Sequence, residues 1–190
     1  MQINPRLQNG YEHNGKMYKS PVGQIPKIVN NFKPLTDNQQ LFYQKISNFN
    51  TQLILCHGIA GTGKTYVSIY KALQDVLRRG TPYNKLIIIN PTVDVGNEDK
   101  LGYLPGELDK KIQQYNESTF TILDSIVGKD KAKKLVSDGK VEIGVLNFLR
   151  GVNLESCYVI LDEAQNVSPM QIKTLMTRIS NDCKMIIQGD

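Results

Sequence analysis

The chain has 190 residues, 40% of them apolar and 22% charged, with a formal net charge of +5. That is the composition of one folded globular domain rather than a disordered or fibrous chain. No apolar run approaches the ~20 residues needed to cross a bilayer, and the opening MQINPRLQNG lacks the apolar segment of a secretory signal, so the cytoplasm is the expected location, with no membrane partner.

Residues 1–34 form the first unit, an extended basic arm rich in Asn, Gly, Pro and Lys, with short strands expected around Tyr11–Tyr18. Arg6, Lys16, Lys19, Lys27 and Lys33 stand against Glu12 alone, which places +4 of the net charge there. Such an arm can contact nucleic-acid phosphates and can equally be a solvated tail. The lack of an Arg-rich cluster or interleaved aromatics favours the tail.

From Thr36 the pattern becomes periodic. Thr36 or Asp37 can cap a helix whose apolar positions include Leu41, Phe42, Ile46 and Phe49. Gln52–Cys56 is a short apolar strand, followed by a glycine loop and a helix from Lys64 to about Arg79, with Gly80 where a C-terminal cap belongs. Lys85–Asn90 (KLIIIN) is a β-branched strand. A loop with Pro91, Gly96, Gly102, Pro105 and Gly106 leads to helical stretches reaching Ser137. Strands are expected at Val141–Val145, Tyr158–Asp162 and Lys184–Gln188, with a helix from Ser168 or Pro169 to Ser180. Strands that are apolar throughout and alternate with helices imply a parallel sheet covered on both faces. Cys56, Cys157 and Cys183 each adjoin such a run, and no CxxC or Cys/His spacing exists. A disulfide framework and a zinc site are therefore not expected, and the thiols read as core residues.

The stretch HGIAGTGKTYVS contains Gly58, Ile59, Ala60, Gly61, Thr62, Gly63, Lys64 and Thr65, a full match to G-x-x-x-x-G-K-[ST]. Glycines there let successive backbone N–H groups converge on one anion, and the following helix points its positive end at the same spot. Lys64 is placed for β- and γ-phosphate oxygens, and the Thr65 hydroxyl for Mg²⁺. The strand before and the helix after supply the context the motif needs. Gly58 through Tyr66 are the expected nucleotide contacts.

Far downstream, Tyr158–Leu161 is four apolar residues followed by Asp162 and Glu163. A carboxylate at the carboxyl end of a parallel strand lies at the crevice where ligands bind. Asp162 is expected to hold Mg²⁺ with Thr65, and Glu163 to orient and deprotonate the attacking water. A base aimed at water suits hydrolysis better than phosphoryl transfer, although a glutamate can serve a hydroxyl acceptor too.

The P-loop, the sequence DEAQ and the strand KMIIQGD together resemble the RecA-like core of superfamily 1 helicases. More narrowly, the chain is similar to the PhoH family of ATPases, through GIAGTGKTYVSIYKAL, the Pro91–Leu108 segment with LGYLPGEL, FLRGVNL, and VILDEAQNVSPMQIKTLMTRI. The fold this implies is α/β, a three-layer αβα RecA-like P-loop NTPase with a mostly parallel central sheet, occupying residues 35–190. The family continues past Gly189-Asp190 with one more strand that would pair beside Gln52–Cys56. That C-terminal strand is therefore expected to be missing, and Gln52–Cys56 to be an edge strand. If the chain is a truncation, nucleotide binding is expected to survive while turnover falls.

The resemblance also implies Mg-dependent hydrolysis of ATP, coupled to RNA or single-stranded DNA, in a homo-oligomeric ring, with a hexamer as the family's form. Gln39, in LTDNQ, would read the adenine edge, which a side-chain amide can pair bidentately. Lys64, Glu163, Gln165 and Asp190 would form the catalytic group, the last two sensing the γ-phosphate. Arg178 and Arg150 are candidates for stabilising transition-state charge across a subunit interface. No residue is assigned to nucleic acid. Asn90 stands where the family pattern has Arg, and Val152 and Asn153 follow Arg150-Gly151 where another Arg is usual. The short arm matches phage-borne members rather than the longer bacterial ones. Two other readings stay open: a P-loop kinase of the thymidine-kinase type, against which stands the absence of a four-cysteine zinc site, and a non-catalytic nucleotide-gated RNA-binding subunit.

Overall fold

Thr36 starts the first helix of the core as expected. Its hydroxyl oxygen accepts from the Gln39 backbone N–H at 3.2 Å, and α1 runs Asp37–Ser47 with Asp37 in the first turn, where an acid suits the positive helix end. The structure, a computed structural model, describes residues 11–13, 16–18, 31–78, 80–91, 107–145 and 153–190. Before α1, β1 (Tyr11–His13) and β2 (Lys16–Tyr18) pair antiparallel as a separate two-stranded sheet.

The alternation read from the sequence follows. It comprises β3 (Leu53–His57), α2 (Lys64–Val76), β4 (Lys85–Asn90), α3 (Glu107–Val127), α4 (Lys129–Ser137), β5 (Val141–Val145), β6 (Cys157–Leu161), α5 (Pro169–Met176) and β7 (Lys184–Gly189). The sheet order is β3-β7-β6-β4-β5, with every pairing parallel. Gln52–Cys56 was expected at an edge, and β3 is the outermost strand of that order. Its Leu53 and Leu55 are 41% and 72% exposed.

Alternate residues of each strand feed two apolar layers, because side chains along a strand point to opposite faces. On one face Ile54, Leu86, Ile88, Ile160 and Ile186 meet α2 (Val67, Ile69, Leu73), with Ile46, Leu123, Ile126 and Leu135 from the other helices. On the other face Ile87, Ile89, Val159, Leu161, Met185 and Ile187 meet Leu175 of α5 and Val167. The three-layer architecture is thus present. All three cysteines are free, and Cys157 and Cys183 are buried with their sulfurs 3.3 Å apart.

Several boundaries differ from the sequence reading, with β3 and β6 each shifted by one residue and β7 running one residue further. The second helix stops at Val76 rather than near Arg79, and Gly80 adopts its positive φ of 84° in the turn beyond. The helix of α5 ends at Met176 rather than Ser180, because the chain beyond it forms a parallel bridge. Leu154 N–H donates to Arg178 O, and Ser180 N–H to Leu154 O, each at 2.9 Å. The strand expected to include Asp162 closes at Leu161, leaving the aspartate just past its end.

Under the sheet runs a buried polar network. Asp75, 1% exposed, accepts from Lys71 Nζ and from the Tyr158 hydroxyl. Lys184, 0% exposed, donates to the carbonyls of Ile46 and Asn48 at the end of α1, amid the rings of Phe49, Tyr83 and Tyr158. Burial pulls the Lys184 ammonium down to about 7, with Asp75 acting in the opposite sense and Lys71 adding to the fall. Because the folded pKa lies below the unfolded one, the unfolded chain binds the extra proton between about pH 7 and 10. Stability from this group therefore rises with pH across that window. In urea unfolding series, wild type is expected to gain on Lys184→Met by up to about 1.4 kcal/mol per pH unit there. A constant difference between the two proteins would refute it.

Candidate functional site

The loop from Gly58 to Gly63 joins β3 to α2, with φ of 77° at Gly61 and 82° at Gly63. L side chains rarely adopt that left-handed conformation, which is why these two positions require glycine. Within the loop the Thr62 hydroxyl donates to Ile59 O at 2.9 Å. Lys64 opens α2 and folds back over the loop, where its ammonium donates to Gly58 O, to Ile59 O at 3.0 Å and to Asp190 Oδ1 at 2.7 Å.

Next to it, the Thr65 hydroxyl donates to Asp162 Oδ2 at 2.8 Å. Asp162 is only 7% exposed. Its other oxygen, Oδ1, accepts from the Glu163 backbone N–H at 3.0 Å and from Gln188 Nε2 at 2.9 Å. The sheet register makes this meeting possible, since Asp162 N–H continues the ladder onto Ile89 O at 3.0 Å and so holds the acid at the strand ends beside the loop. The sequence reading paired Thr65 with Asp162, and the fold brings them into contact.

Glu163 adopts φ 50°, ψ 42°, an uncommon left-handed conformation for a residue with a side chain. Its Oε2 accepts from Gln165 Nε2 at 2.6 Å, and Gln165 Oε1 accepts from Asp190 N–H at 3.1 Å. A continuous polar chain therefore links Lys64 through Asp190 and Gln165 to Glu163. All four were selected from the sequence.

Other expected contacts are distributed differently. Gln39 lies against the loop, but both ends of its amide are engaged within the chain. Nε2 donates to Thr62 O at 2.9 Å, and Oε1 accepts from Leu35 N–H at 2.8 Å. The ring of Tyr66 packs with Phe32 and Tyr70, at centroid distances of 5.6 and 6.3 Å. Arg178 does not join the cluster. It lies past α5 beside the bridge to Leu154, at the amino end of β6 and β7, opposite the pole that carries Lys64. Asn90 is buried and donates to Thr119 Oγ1 at 3.3 Å. Arg150, residues 101–106 of the LGYLPGEL segment and most of the basic arm lie outside the described residues.

One residue of the cluster escaped the sequence reading. Gln188, 0% exposed, touches both Thr65 and Asp162. The available signal was an amide inside an otherwise apolar strand, KMIIQG.

The donor set around Asp162 suits a hard cation. Thr65 and Asp162 present oxygen atoms in contact at the start of a helix, and no ion pair among the described residues neutralises Asp162. No group of three or more His, Cys, Asp or Glu forms an all-protein metal cage among the described residues. Mg²⁺ typically uses one or two protein oxygens together with substrate phosphates, so the pair fits it.

The family profile described as PhoH-like protein matches residues 31–190. The PhoH-like protein of Bacillus subtilis (strain 168) is 41% identical over 138 residues, covering 73% of this chain and 42% of that protein. Protein PhoH of Escherichia coli (strain K12) is 33% identical over 153 residues, covering 80% of this chain and 42% of that protein. The chain thus spans about two-fifths of the length of the curated relatives it matches. Among solved structures, the Sulfolobus solfataricus SWI2/SNF2 ATPase core in complex with dsDNA superposes with a TM-score of 0.54 at 16% identity, covering 88% of this chain and 34% of that one. The UvsW helicase from bacteriophage T4 gives 0.52 at 14% identity, covering 100% and 64%. At such identities the likeness is one of fold, a RecA-like helicase core.

Two glycines at the site have opposite steric surroundings. A Cβ on Gly189 would lie 2.5 Å from Gln165 Oε1 and 3.1 Å from the backbone nitrogen of Ala164, whereas one on Gly58 meets nothing closer than 3.9 Å. Gly189→Ala is expected to cost about 1–3 kcal/mol in urea unfolding, the range for forced overpacking. Gly58→Ala is expected to stay within about 0.5 kcal/mol of wild type. Equal effects would contradict this account of Gly189.

Proposed function

Since the chain belongs to the PhoH-like family, we propose that it is an Mg-dependent ATPase, hydrolysing ATP to ADP and phosphate in association with RNA or single-stranded nucleic acid. The family and the helicase-like fold support a nucleotide-binding protein. The observation that carries the reading further is the meeting of Thr65 and Asp162 at the mouth of the glycine loop.

In this reading the loop amides and the positive end of α2 bind the phosphate tail. Thr65 and Asp162 would hold Mg²⁺, which would supply charge neutralisation to the phosphate tail. Lys64 adds its own cation there. Its ammonium donates to two carbonyls and to Asp190, so contact with phosphate requires it to exchange at least one of those partners. That exchange is felt at Asp190, and through Gln165 at Glu163. Glu163 accepts the proton of the attacking water at a carboxylate oxygen.

Nucleic acid enters through the neighbours, one solved with dsDNA and one a helicase. A ring of subunits is proposed from the family resemblance. It would also give Arg178, remote from Lys64 in its own subunit, a neighbouring site to reach. The cytoplasm of a bacterial cell, for a host-encoded or phage-encoded chain, is the proposed setting. Among the described residues no helix is long and apolar enough to cross a membrane.

Phosphate release from ATP, measured with and without single-stranded RNA, tests the proposal. Turnover that rises with RNA is expected. Lys64→Ala is expected to abolish nucleotide binding. Glu163→Gln is expected to bind normally and lose about 10²–10⁴-fold in turnover, the usual range for removing a general base. Normal hydrolysis by Glu163→Gln would reject Glu163 as the base. Transfer of labelled phosphate to added thymidine would replace the ATPase reading with a kinase. Binding without phosphate release, with or without RNA, would replace it with a nucleotide-gated binding subunit.

A further inference from the structure

The α2-facing row of β7 consists of Lys184, Ile186 and Gln188, and all three are fully buried. Lys184 supports the end of α1. Gln188 sits at the other end of the strand, where its Nε2 donates to Asp162 Oδ1 at 2.9 Å and to Thr65 Oγ1 at 3.2 Å. Thr65 in turn donates to Asp162 Oδ2. The three side chains form a closed hydrogen-bonded triangle.

The orientation of the amide follows from chemistry. Turned over, Gln188 would set its carbonyl oxygen against the Asp162 carboxylate, two acceptors with no proton between them. With Nε2 on the acid, the remaining Oε1 is buried and has no donor among the described residues. A buried acceptor left unpaired destabilises a fold by about 1–3 kcal/mol. A side chain chosen for stability alone would be apolar here, as Ile186 is two residues earlier on the same face. Such a local cost is typical of positions retained for a site rather than for packing.

We propose that Gln188 is a positioning residue for the divalent cation. It fixes the rotamers of Thr65 and Asp162 so that their oxygens are already in place for Mg²⁺. The proposal rests on the ATPase reading above, in which these two residues hold the metal. Gln188 acts through them and touches neither phosphate nor water in the reaction. Without it, the Asp162 carboxylate keeps its bonds to Thr65 and to Glu163 N–H but is free to turn about them. More Mg²⁺ is then needed to organise the pair.

The test is fluorescence binding of mant-ATP as a function of free Mg²⁺, alongside melting of the nucleotide-free chain. Gln188→Met keeps the volume and removes the amide. Gln188→Asn keeps the amide and withdraws it by one methylene. Both are expected to raise the Mg²⁺ concentration for half-maximal binding about tenfold. The melting temperature of Gln188→Met without nucleotide is expected to hold or rise, because the unpaired Oε1 is gone. Half-points equal to wild type in both variants overturn the proposal and leave the ATPase reading intact. A lowered melting temperature with unchanged half-points also overturns it, since Gln188 would then be structural. A wild-type chain whose mant-ATP binding ignores Mg²⁺ overturns the metal assignment of Thr65 and Asp162, and this proposal with it.

Discussion

A hydroxyl at the first turn of α2 and a carboxylate at the end of β6 must occupy one point in space, and much of the molecule can be understood as arranging that contact. Thr65 donates to Asp162 at 2.8 Å. For this to happen, the loop before α2 must reverse direction within a few residues, which the left-handed glycines 61 and 63 permit. The helix must then lie across the sheet on its apolar stripe, and Val67, Ile69 and Leu73 supply that stripe. The acid must also be delivered at the right height, and the parallel ladder does so by carrying Asp162 N–H onto Ile89 O. A one-residue slip in β6 would turn the aspartate to the α5 face.

Beneath this contact the structure spends buried polar groups as fixed struts. Asp75, paired with Lys71 of its own helix, joins α2 to β6 through Tyr158, and Lys184 joins β7 to the end of α1. Burying a charge is costly unless it is paired or hydrogen-bonded, and here each has hydrogen-bond partners. Their effect is geometric. They set where α1 lies, and α1 carries Gln39, whose amide holds Thr62 of the loop. The phosphate loop is thereby fixed from its helix and from its rim.

Above the contact the architecture is looser and more exposed. Asp190 is 41% exposed at its side chain while paired to Lys64, and the turn after Asp162 contains the left-handed Glu163. Gly189 lets that turn approach the end of β7 closely enough for Gln165 to reach the Asp190 N–H. Fixed struts thus lie below the contact, and a short polar chain with an exposed end lies above it. A buried network resists rearrangement, whereas exposed hydrogen bonds exchange readily with water.

How much of this was legible in advance depended on the range of the forces involved. The strand-helix alternation, the phosphate loop, the Thr36 cap and the pairing of Thr65 with Asp162 are written in local periodicity and in motifs whose spacing is set by backbone geometry. As local patterns, with the loop read only as a glycine turn between a strand and a helix, they could be read from the chain alone. The early end of α5 could not, because its last turn yields to a bridge with Leu154 that is distant in sequence. Nor could the commitment of Gln39 to Thr62, or the remoteness of Arg178 from Lys64. Gln188 shows the limit most sharply. Its neighbours Thr65 and Asp162 meet it only after β7 has inserted between β3 and β6, and no local pattern encodes which strand will do so. Short-range sterics and periodicity belong to the sequence. The meeting of buried polar groups belongs to the sheet order, which the packing of the whole domain decides.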